Sequence, residues 1–150
     1  MALKGDRIEL NDGSRIKYFM TTATTPGRIV NFNAPGGAGM DSPDATLAVP
    51  AGPSGNPAGV LMCEVVNYNL TRTHINEQQD QVQVGNKVPL LTRGVVRTNC
   101  LKSGDTPEAG EPAHYTVSGE FTTTTTSDQV GVFAGPPDAE GYVEVEVNIQ

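Results

Sequence analysis

Between Val82 and Asn99 the chain reads VQVGNKVPLLTRGVVRTN, the stretch that most narrowly restricts what it can fold into. Val82, Val84, Val88, Leu90, Val95 and Val96 are β-formers set among polar residues. Gly85-Asn86 and Arg93-Gly94 interrupt them with turn or bulge chemistry. The pattern predicts a buried β-hairpin around which the rest of an all-β molecule is organised. No reactive group sits on it, which points to a structural or binding role rather than to catalysis.

The composition around this stretch agrees with short strands and many turns. The 150 residues include 17 Gly and 11 Pro, only 5% aromatics and no Trp, so the core is built largely from Val, Leu, Ile and Ala. At this length one domain is expected, with roughly 70% of the unfolded surface buried. Abundant Thr, stiff at χ1, suits a pleated surface better than a helix. A thin core implies either many tightly connected strands or reliance on a partner surface.

Charge is unevenly distributed. Residues 1–100 hold nine Lys/Arg and eight Asp/Glu, whereas residues 101–150 hold Lys102 against nine carboxylates. Nucleic acid is not an expected partner, because no cluster of cations is present to displace phosphate counterions. The acidic C-terminal part keeps an exposed face soluble, and the mild N-terminal basicity of Lys4, Arg7, Arg15, Lys17 and Arg28 is available to an acidic partner. A membrane is not expected either: no stretch of about 18 apolar residues occurs and the start lacks a secretory pattern. Cys63 and Cys100 are accordingly expected to stay reduced as small buried hydrophobes, and the sequon at Asn69 to be chance.

In chain order, residues 1–14 carry one alternating piece, Arg7-Ile8-Glu9-Leu10, and then the turn cluster Asn11-Asp12-Gly13-Ser14. They read as an extended N-terminal arm with too few apolar groups to hold itself, followed by a single β domain over 15–150. RIKYFM (15–20) and RIVNFN (28–33) are the first strands. Ala34 to Gly59 is so rich in Pro and Gly that only Thr46 to Val49 can be a strand; the remainder is long loop. VLMCEVVNYNL (60–70) is a strand buried on at least one face, and TRTHINEQQDQ (71–81) a polar surface turn or edge strand. Residues 101–112 form a second break, HYTVSGEFTTTTT (114–126) a strand interrupted at Gly119 whose Thr run is either an exposed strand or a disordered link, and QVGVF (129–133) a short strand. In YVEVEVNI (142–149) Val143, Val145, Val147 and Ile149 share one face and Tyr142, Glu144, Glu146 and Asn148 the other.

No constellation for chemistry emerges. Gly36-Gly37-Ala38-Gly39 lacks the Lys-Ser/Thr and the helix of a phosphate cradle. His74 with Glu77 falls short of the three or four ligands zinc needs, and His114 is the other imidazole. Glu144 and Glu146, about 7 Å apart on one strand face, are simply solvated. There is no nucleophile elbow, and pairing of a cysteine with a histidine has no local signature. Catalytic residues, metal and cofactor are therefore all expected to be absent.

EVVNYNLTRTHIN (64–76), the 82–99 stretch, GEPAHYTVSG (110–119) and DAEGYVEVEVNIQ (138–150) resemble the capsid decoration, or cement, proteins of tailed bacteriophages. The resemblance covers mainly residues 60–150 and rests on strands and turn glycines. It implies a small β-barrel or sandwich of short antiparallel strands with an extended arm and long Pro/Gly-rich loops. It also implies a non-enzymatic virion protein, made in the host cytoplasm and bound to the outer capsid surface. There such a protein bridges major capsid protein subunits as a homo-oligomer, trimer or dimer. Placed on this chain, the capsid or subunit interface is expected at Lys4, Arg7, Ile8, Leu10 and Arg15. A carbohydrate- or surface-binding β-sandwich is the competing reading, though sugar platforms favour exposed aromatics. A hydrolase would need a triad the residues do not offer.

Overall fold

The computed structural model describes residues 14–34, 46–50, 55–67 and 81–149. Among them there is no helix, and the strands fall into a closed barrel, a second sheet and a two-stranded ribbon. The barrel runs β1 (Ser14–Met20), β3 (Thr46–Ala48), β2 (Ile29–Ala34), β4 (Pro57–Leu61) and β7 (Lys87–Leu91), the last pairing back onto β1. The second sheet has the order β10 (Phe121–Thr122), β9 (Pro112–Tyr115), β11 (Gly131–Phe133), β12 (Val143–Asn148), β8 (Arg93–Thr98). The ribbon pairs β5 (Glu64–Val66) with β6 (Gln81–Gln83). The all-β expectation and the barrel hold. Two pairings are parallel rather than antiparallel, β1 with β3 and β5 with β6.

Two hydrophobic cores result, and they share a wall. Met20, Val30, Leu47, Ala58, Leu61, Val65, Val88 and Leu90 fill the barrel. Tyr115, Phe121, Phe133 and the Val face of β12 dominate the other core, under the second sheet. Ile29, Val60 and Leu91 stand in one cross-strand row of β2, β4 and β7 and pack into that second core, while their neighbours Val30, Leu61 and Leu90 point into the barrel. Such strands are apolar on both faces, which is why Val60-Leu61-Met62 shows no alternation. Burying each Val or Leu side chain contributes about 1.5–3 kcal/mol.

The hairpin expected over Val82 to Asn99 is not formed. Its residues divide among three sheets: β6 pairs with β5, β7 with β1 and β4, and β8 with β12. β7 and β8 are instead successive lengths of one strand that turns from the barrel into the second sheet at Thr92. The ladder slips phase there. Met62 donates to Pro89 O, so odd residues of β7 face β4, whereas Ile149 donates to Thr92 O, so even residues of β8 face β12. Leu91 and Thr92 thus turn to the same side, as in a β-bulge. Gly94 follows at φ +148°, a conformation that side chains resist, and a Cβ there would press on Leu91 Cδ1 at 3.2 Å. The corner reads as a hairpin turn in sequence because turns and bulges use the same residues.

Elsewhere the boundaries shift for local reasons. The 60–70 strand breaks at Met62-Cys63 into β4 and β5. The Thr run is not a strand beyond Thr122: residues 123–127 are a series of bends. The Thr122 hydroxyl accepts from Thr124 N at 3.1 Å and donates to Asp105 Oδ2, so local hydroxyl bonds replace a ladder. β12 matches the expected alternation, with Val143, Val145, Val147 and Ile149 buried and Glu144, Glu146 and Asn148 exposed.

Candidate interaction surface

The second sheet presents its outer face and one edge to solvent. On the outer face Arg93, Val95 and Arg97 of β8 stand opposite Asn148, Glu146 and Glu144 of β12, a lattice of alternating charge around Val95. Val95 is 60% exposed, unusual for a β-branched apolar residue in mid-strand. Beside it lies an open depression of about 390 Å³ lined by Gln129, Gly131, Val132, Glu146 and Asn148. Gly131 is needed there, since a Cβ would collide with the Glu146 carbonyl of the adjacent strand.

The loop 134–142 fixes one end of this face. Asp138 Oδ1 accepts from the backbone N–H groups of Glu140 at 3.0 Å and Tyr142 at 2.9 Å, and Oδ2 accepts from the Arg97 guanidinium. The Tyr142 amide, first, and the Arg97 side chain, second, hold the Asp138 carboxyl below its ordinary value. Arg97 is thereby anchored rather than left to swing. Tyr142 is 38% exposed at the same end.

The edge is the unusual part. In β8 the ladder to β12 uses the backbone groups of Thr92, Gly94, Val96 and Thr98. The N–H and C=O of Arg93, Val95 and Arg97 therefore point the other way, and no described residue pairs with them. An open row of this kind is a template for another strand.

Of the residues expected from sequence to form the interface, Lys4, Arg7, Ile8 and Leu10 lie outside the described residues. Arg15 belongs to β1, where its backbone stands opposite Leu90. Its neighbour Ser14 is opposite Leu91, at the corner where β8 begins. Val95, expected inside a buried hairpin, is exposed instead, and the β8 edge was not singled out by sequence reasoning. The available signal was the placing of Val95 between two arginines at odd positions, which exposes it once β8 is recognised as an edge.

The remaining candidates have structural duties or fall elsewhere. His114 is buried and its Nδ1–H donates to Ser127 O at 2.8 Å. Tyr115 O–H donates to Gly55 O at 3.3 Å, and burial pushes its phenol up. Cys63 and Cys100 are half-buried thiols, Cys100 Sγ lying 3.6 Å from Pro26 O. His74, Glu77, the Gly36–Gly39 tract and the Asn69 sequon lie outside the described residues. Among the described residues no group of three His, Cys, Asp or Glu side chains could hold a metal ion, and no helix is long and apolar enough to cross a membrane.

No protein with a curated description matches the chain. A family model described as "Structural cement protein (E217 gp24/Pam3 gp6)" matches residues 4–148, so the match takes in the barrel, the second sheet and most of residues 1–14. A charged outer face and an edge open among the described residues suit such a role. The chain belongs to the phage structural cement protein family, a structural component of the phage capsid.

Proposed function

We propose that the protein binds the outer surface of the capsid and stabilises the head by bridging neighbouring major capsid protein subunits, as a trimer or dimer. The family match over residues 4–148 carries this reading. In this reading residues 15–150 act as one domain and residues 1–14 as an arm. The contact set is Lys4, Arg7, Ile8 and Leu10, with Arg15 at the root of the arm. Two features of the surface support it: a charged lattice with an exposed Val95 at its centre, and a strand edge without a partner among the described residues. Stable assemblies of this kind bury about 2,000 Å² or more, which a chain with exposed edges supplies more easily than a closed one.

Removing residues 1–14 is the direct test. The shortened chain is expected to keep its β-type circular dichroism and its cooperative melt while losing sedimentation with heads. Undiminished co-sedimentation would remove the arm from the interface. Quantifying the protein in purified heads tests the bridging role itself, which requires a fixed ratio to the major capsid protein.

A further inference from the structure

We propose that residues 8–13 of the arm add to the second sheet as a sixth strand, on the open edge of β8 in their own chain. The inference rests on the arm reading above and divides its residues into anchor and contact.

The handedness of an L-strand decides which side is open. In β7 the residues facing the second core are odd, as Leu91 shows, and they turn their backbone groups toward β4. After the bulge the residues facing that core are even, as Val96 shows, and they turn toward β12. A side chain on a given face always sends its backbone groups to the same flank, so β4 and β12 share one flank of this bent strand. The other flank holds β1 along β7 and, among the described residues, is open along β8. β1 runs antiparallel to β7 and its first described residue, Ser14, stands opposite Leu91 where that flank begins, so residues 8–13 are the segment of the chain that follows on from β1 there.

Register and chemistry agree. Carried through the bulge, the register sets Gly13, Asn11 and Glu9 opposite Arg93, Val95 and Arg97, the three residues whose backbone groups are available. Glu9 then faces Arg97, an opposite-charge cross-strand pair. Counting alternation from Ser14, which shares a row with Leu91, puts Leu10 beside Val96 and Ile8 beside Thr98 at the margin of the second core, where Val96 is only partly buried. The alternation Arg7-Ile8-Glu9-Leu10 supplies apolar groups on the inner face and charged ones on the outer. A second copy pairing edge to edge fits worse, because centring two β8 strands on Val95 would oppose Arg93 with the other copy's Arg97. Ile8 and Leu10 are thus the anchor, and Lys4 and Arg7 are delivered to the capsid.

Amide hydrogen exchange read residue by residue on the full-length protein tests this. The amides of Arg93, Val95 and Arg97 are expected to exchange at least about tenfold more slowly in the native chain than in the I8D/L10D variant, with Val145 and Val147 unchanged in both as a control for folding. Equal exchange in the two proteins overturns the proposal. So does restored protection of an isotope-labelled chain lacking residues 1–12 on adding unlabelled full-length protein, since the strand then comes from a neighbour. The K4A/R7A variant separates the two readings: it is expected to keep the protection and to lose head binding. Retained head binding removes Lys4 and Arg7 from the contact set and leaves the exchange result, and with it the docked strand, standing.

Discussion

The two cores of this molecule solve the same problem with different means. The barrel interior is aliphatic, with Leu47, Leu61, Val88 and Leu90 closed in by strands that share as few as two register pairs, as β4 and β7 do. The second core spends its aromatics in one place, Tyr115, Phe121 and Phe133, beneath a six-pair ladder of β8 with β12. An interior enclosed on all sides excludes water by closure and needs only small branched side chains. A single sheet laid over a barrel wall must fill a wider gap, and large rings do so with fewer residues. Ile29, Val60 and Leu91 join the two regions, so neither is complete without the shared wall.

The comparison is broken most severely from the aromatic side. Phe121→Ala removes a fully buried ring and is expected to cost about 3–5 kcal/mol, measured by urea unfolding. Tyrosine fluorescence, to which Tyr115 in that core contributes with three other tyrosines, and far-ultraviolet circular dichroism should change in one transition; separate transitions would show that the shared wall does not couple the cores. Leu90→Ala attacks the barrel and is expected to cost about 2–5 kcal/mol, with head binding lost only where the chain unfolds. Its midpoint should shift without a change in slope, and a shallower slope would mean the barrel melts by itself.

The smallest effect lies outside both cores, at Asp138. Its carboxyl is held below the ordinary value of 3.8, so its contribution is present in full above that pH and is lost as pH falls through the lower folded value. Asp138→Asn should therefore melt at a lower temperature than the native protein at pH 7, and the gap should close as the pH is taken well below 3.8. A gap that persists at the acid end would assign the effect to loop geometry rather than to charge.

How much of this was legible in the sequence depended on whether a segment's environment is local. β12 was readable residue by residue because one face meets a core and the other meets water, the condition under which period-2 alternation appears. Thr123 to Thr126 misled because β-branched composition favours a strand, whereas hydroxyl bonds from Thr122 stabilise bends. Leu90 was readable as a core residue, but two adjacent leucines do not reveal that Leu90 enters the barrel while the partly buried Leu91 packs against the other core. Arg7 to Leu10 alternate in the sequence, yet the edge proposed for them is set by the bulge at Leu91–Thr92, some 80 positions away in the chain. Turn chemistry at Arg93-Gly94 reads the same whether a strand folds back or changes sheet.

The bent strand from Lys87 to Thr98 also has a mechanical consequence. Pulled along its length, β8 strains its six register pairs with β12 in shear, so they share the tension and yield together. β10, joined to β9 by two pairs, can be peeled off one pair at a time from its end. The second sheet is thus stiff along one axis and weak across it, and in the bridging role proposed above the tension it withstands depends on whether that strand lies along the line joining the bridged subunits.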